Sequence, residues 1–70
     1  MVNERIRAAV DDSGFKKKFV AEAIGLSEPV FSAILAGKRT VSAEEFFEIC
    51  KVLRKTPDEL YNYESAERAV

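Results

Sequence analysis

The side chains able to do chemistry in this sequence are few in kind: carboxylates, ammonium and guanidinium groups, one thiol and no imidazole. With no histidine and with Cys50 alone, neither the usual nucleophile–base pair nor the usual zinc site can be assembled within one chain. The lone cysteine also excludes an internal disulfide and fits a reduced, cytoplasmic thiol. Glu44, Glu45, Glu48, Asp58 and Glu59 fall at helix starts and on solvent faces, where carboxylates favour helices without forming an acid–base pair. We therefore expect no enzyme, no cofactor, no metal and no small-molecule substrate. The cations are more informative. Residues 14–42 hold five basic side chains (Lys16, Lys17, Lys18, Lys38, Arg39) against two acidic ones, whereas residues 43–70 hold four against seven, so a net charge of −1 conceals a polarised chain. A lysine run is ordinarily a solvated surface, yet cations at a helix start oppose the macrodipole by roughly 0.3–1 kcal/mol each. Stability alone would not place Lys16, Lys17 and Lys18 there.

The elements that must position these residues are helical throughout. Seventy residues bound the chain to one domain, with 47% apolar and 33% charged residues in the balance of a soluble globular fold. No apolar run approaches the roughly 20 residues of a membrane span, and no signal-peptide core opens the chain. Ile6, Ala9 and Val10 recur at helical spacing over 3–12, and Ser13-Gly14 interrupts them. Val20, Ala21 and Ile24 mark a second helix over 16–24, closed by Gly25. Phe19 falls off that stripe, partly exposed and able to meet a partner. Ser27 is an N-cap and Pro29 fits the first turn of a third helix that runs to about Ala36, carries Phe31, Ile34 and Leu35 inward and stops at Gly37. Ser42 with Glu45, and Thr56 with Glu59, have capping-box spacing and open two further helices. The first buries Phe46, Ile49, Cys50 and Leu53; the second starts on Pro57 and buries Leu60. The expectation is an all-α, compact five-helix domain over 1–63, with a C-terminal tail over 64–70 that frays or weakly extends the last helix.

A helix ending in glycine, a turn of about three residues and a second short helix make a helix-turn-helix. The stretch from Gly14 to Tyr61 resembles the Cro and phage-repressor type, the lambda-repressor-like family. The resemblance is carried by Val20-Ala21-Glu22, Ile24-Gly25-Leu26-Ser27, Phe31-Ser32, Ile34 and Gly37-Lys38-Arg39, continued by Ser42, Phe46, Ile49, Leu53 and Asp58-Glu59-Leu60. Ala21 matches the small residue that the family uses where the two helices cross.

That resemblance implies a DNA-binding transcriptional regulator, a repressor of prophage or mobile-element type, acting on double-stranded DNA as a homodimer. The third helix would lie in the major groove with Ser27, Glu28, Pro29, Ser32 and Ala33 facing the bases. Lys16, Lys17, Lys18, Lys38 and Arg39 would meet phosphates, and Pro57, Tyr61 and Tyr63 would lie at the dimer seam. The chain departs from the family in having Lys16-Lys17 where Thr-Gln is common, and in a reading face with no Arg, Lys, Gln or Asn, the side chains of strong bidentate base contacts. Those departures, with the overall acidity, leave a second class open: a protein-interaction module, antirepressor or antitoxin-like, that keeps the fold without strong DNA binding. A low-specificity architectural DNA binder is a third reading.

Overall fold

Helix α1 (Val2–Ser13) turns Ile6, Ala9 and Val10 inward, into a core to which all five helices contribute. The computed structural model describes residues 2–64, so the expected tail lies outside the described residues except for Glu64. The remaining elements are α2 (Lys17–Ala23), α3 (Glu28–Leu35), α4 (Ala43–Leu53) and α5 (Pro57–Tyr61), with no strand among the described residues. Helix α1 packs on α3, α4 and α5, while α2 packs on α3 and α4. The core falls within the set anticipated from periodicity: Ile6, Ala9, Val10, Val20, Ala21, Phe31, Ile34, Leu35, Ile49, Cys50, Leu53 and Leu60 are all buried, while Ile24 is half-buried at its edge. Phe46 is half-buried against this core, and its neighbour Phe47 points outward with 51% of its surface exposed.

The helix ends follow from local chemistry. After α2, Gly25 takes φ +77° and its N–H meets the Glu22 carbonyl at 3.2 Å, while the Leu26 N–H reaches Ala21 at 2.9 Å. Gly37 repeats the arrangement after α3, with Gly37 N–H to Ile34 at 3.0 Å and Lys38 N–H to Ala33 at 2.9 Å. Each is a Schellman closure, in which a left-handed residue satisfies carbonyls the helix leaves open. Helix α4 ends the same way on Arg54, at φ 57°. A non-glycine residue in that region carries roughly 1–2 kcal/mol of strain. Both capping boxes form: Ser42 Oγ accepts from Glu45 N–H (3.1 Å) and Glu45 Oε1 from Ser42 N–H (2.9 Å), matched at Thr56 and Glu59 by 3.1 and 2.8 Å.

One buried polar residue lies on the inner stripe of α1. Asn3, 5% exposed, donates from Nδ2 to the Ile34 carbonyl at 2.8 Å and to the Arg39 carbonyl at 3.0 Å. It thereby ties the start of α1 to the end of α3 and to the basic loop that follows. A buried acceptor stripped of its donor costs about 1–3 kcal/mol. Asn3→Ala is expected to lower unfolding stability by about 2 kcal/mol in a urea titration and to speed amide exchange over residues 37–40.

Candidate nucleic-acid interface

Helix α3 is eight residues long, and its two sides differ completely. Phe31, Ile34 and Leu35 are buried, which fixes the helix's rotation and turns Pro29, Ser32 and Ala33 to the opposite side, with Glu28 at the first turn. Glu28 and Pro29 are exposed, and Ser32 and Ala33 are half-buried. Ser27 is also exposed, but its hydroxyl already accepts the Val30 N–H at 3.4 Å as the N-cap. The outer face of α3 thus brings three of the five expected base-facing side chains together, Pro29, Ser32 and Ala33, with Ser27 and Glu28 at its N-terminal margin. It is small and nearly uncharged, Glu28 excepted.

The expected phosphate-binding cations divide into two groups. Lys16, Lys17, Lys18 and Lys38 are exposed, and their side chains make no hydrogen bond or ion pair among the described residues. Lys16 is the N-cap of α2, with φ −72° and ψ 145°, and provides no side-chain cap. The free amides of the α2 first turn therefore face solvent beside three ammonium groups. Arg39 is different: Nη1 and Nη2 reach Glu45 Oε1 and Oε2, both at 3.2 Å. Glu45 holds its proton less tightly than an ordinary carboxyl, mainly because the Ser42 backbone N–H bonds it and then because Arg39 does.

The three residues expected at a dimer seam also separate. Pro57 and Tyr61 are exposed and line an apolar groove of about 370 Å³ with Val2, Val41, Phe46 and Phe47. Tyr63 is engaged within the fold. Its hydroxyl donates to Asp12 at 2.6 Å, which raises its pKa, its ring lies 5.0 Å from Lys55 Nζ, and its carbonyl accepts from Arg5 at 2.8 Å. Phe19 is 53% exposed, as its off-stripe position implied, and meets the also exposed Phe15 in a tilted contact with ring centroids 5.1 Å apart. Burial raises the Cys50 pKa and keeps the thiol protonated, and no group of acidic and cysteine side chains able to hold a metal occurs among the described residues.

Sequence reasoning did not anticipate Asn3, Phe47 or the Arg39–Glu45 pair. A polar residue three before Ile6 on an apolar stripe was a signal for Asn3. Glu45 was assigned only to its cap.

This architecture is that of a helix-turn-helix protein: two helices joined by a glycine turn, the second with one side sealed by the core and the other open. Residues 5–66 match the family described as the Cro/C1-type HTH DNA-binding domain, and the chain belongs to that lambda-repressor-like family. The solution structure of the DNA-binding domain of the P22 C2 repressor superposes with a TM-score of 0.81 at 21% identity, covering 96% of this chain and 88% of that one. At that identity the likeness shows the fold. A curated protein named triosephosphate isomerase, from Lactobacillus gasseri, is 41% identical over 63 residues, 90% of this chain. The chain spans only 24% of that relative's length.

The poorly begun helix gives a direct test. The N-cap backbone of Lys16 already has the extended geometry that threonine needs, and Lys16→Thr adds an acceptor for the first-turn amides while removing a cation from the positive helix end. The variant should be more stable by about 1 kcal/mol. A melting curve reads it, and a lower melting temperature would contradict the account of the α2 start.

Proposed function

We propose that this chain is a sequence-specific transcriptional regulator of prophage or mobile-element type that binds double-stranded DNA as a homodimer, with α3 in the major groove. The observation that carries the reading is the divided α3: a core-sealed side that fixes its rotation, and an open side of small groups that a groove floor can approach closely. Glu28 can accept from a cytosine amino group, Ser32 can bond either partner of a pair, and Pro29 or Ala33 can touch a thymine methyl. With so few strong readers, DNA shape supplies part of the selectivity. Lys16, Lys17, Lys18 and Lys38 neutralise phosphates at the margins, joined by Arg39. The exposed groove at Pro57 and Tyr61 meets the same groove of a second copy, because one short module buries too little surface for stable specific binding. The site of action is the cytoplasm.

Catalysis is not part of this proposal. Triose isomerisation uses a glutamate base with a neutral histidine, and this chain has no histidine. A protein-interaction role is the second reading, favoured by the exposed Phe15–Phe19 pair and by the absence of Arg, Lys, Gln and Asn from the open side of α3.

Selection of bound duplexes from a random pool tests the main reading. Inverted repeats should emerge with half-sites about one helical turn apart, near ~34 Å. Failure to enrich any sequence, with no salt-dependent DNA binding by the wild type, would favour the protein-interaction role. Replacing Ser32 and Ala33 together by glutamine should abolish preference for the selected site with helicity retained, as circular dichroism and competition titrations would show. Lys38→Gln should instead weaken all sequences alike and reduce the salt slope by about one. A changed sequence preference would contradict its assignment to phosphate.

A further inference from the structure

The five expected phosphate cations are not equivalent, because only Arg39 is held by a carboxylate. Simple charge counting would make Glu45 an obstacle to DNA binding. The geometry points to the opposite role, and we propose that Glu45 is a positioning residue that presents Arg39 to the DNA backbone. This inference rests on the DNA-binding reading above and names a residue outside the contact set assigned there.

Glu45 is itself immobilised. Its side chain is 16% exposed, Oε1 accepts the Ser42 N–H at 2.9 Å, and its own N–H is held by Ser42 Oγ at 3.1 Å. The carboxylate is thus a fixed platform at the start of α4. Arg39 lies on that platform through a parallel two-bond fork, the arrangement that best fixes a guanidinium plane. The Arg39 backbone is fixed as well, since its carbonyl accepts from buried Asn3. A guanidinium has five N–H donors. The fork uses one from each terminal nitrogen, and the remaining three have no partner among the described residues on a side chain 42% exposed. Those outward donors can bond a phosphate oxygen without breaking the fork, because the carboxylate and the phosphate use different edges of the group. The exposed lysines, by contrast, must be ordered when DNA arrives.

The test sets positioning against charge. Glu44 is exposed, adjacent and equally charged, and makes no hydrogen bond or ion pair with Arg39, whose fork is with Glu45. Glu44→Gln removes one negative charge and should tighten binding to a short labelled duplex of random sequence. Glu45→Gln removes the same charge and keeps a residue able to complete the capping box. It should nevertheless weaken binding by roughly threefold to tenfold, the range that follows from having to order a long side chain on association. In an Arg39→Gln background the penalty should vanish, and Glu45→Gln should then tighten binding as Glu44→Gln does. A purely structural role for Glu45 would not show that dependence on Arg39. Melting curves run beside the titrations establish that each variant is folded. The proposal is overturned if Glu45→Gln binds as tightly as the wild type or more tightly, or if its penalty persists without Arg39. A wild type that shows no salt-dependent binding at all would remove the DNA-binding reading itself, an outcome distinct from a bound wild type with an unaltered Glu45 variant.

Discussion

The side-chain amide of Asn3 joins three parts of the molecule that must agree for the open side of α3 to be usable. It sits on the inner stripe of α1, bonds the last turn of α3 through Ile34, and bonds the basic loop through Arg39. Apolar packing fixes how far α3 is rotated, since Phe31, Ile34 and Leu35 are buried. The hydrophobic driving force is non-directional, however, and by itself discriminates little between neighbouring registers. The amide bonds add direction at the helix end, and a buried amide without those partners would be costly enough to disfavour other registers.

Electrostatics divides the chain between stability and surface chemistry. The acidic half is locally well served: both capping boxes are complete, and Glu59, like Glu45, holds its proton less tightly than usual because a backbone N–H bonds it. The basic half is locally poor, with an uncapped α2 opened by three lysines. Local choices normally agree with the fold, and departures concentrate where a surface has other work to do. An anion at the α2 start would reverse the conflict, since ammonium groups and free amides would both face it.

Much of the fold was legible because its signals are local. Two glycine stops, two hydroxyl–glutamate boxes, Pro29 and Pro57 bracket the helices to within a residue or two, and the buried set follows from helical spacing. The family resemblance, carried by the same residues, holds. What could not be read depends on residues distant in sequence. Asn3 meets partners 31 and 36 positions away, and Tyr63 meets Asp12 and Arg5 across 51 and 58. The sequence leaves Tyr63 either at a seam or over the core, and its contacts tie the segment after α5 to α1. The α4 stop at Arg54 escaped notice for another reason: the left-handed position there has no glycine to announce it. The Arg39–Glu45 fork spans only six residues, but it requires the loop between α3 and α4 to fold back, and spacing does not reveal that.

The central claim is that the open side of α3 and its cationic margins form the surface that meets DNA. Backbone amide shifts followed by NMR during titration with a selected duplex test it directly. The largest changes should fall at residues 27–33, at Lys16–Lys18 and at Lys38–Arg39, and should diminish as salt is raised. Changes concentrated at Phe15, Phe19 and the Phe47–Tyr61 groove, with residues 27–33 unmoved, would contradict it.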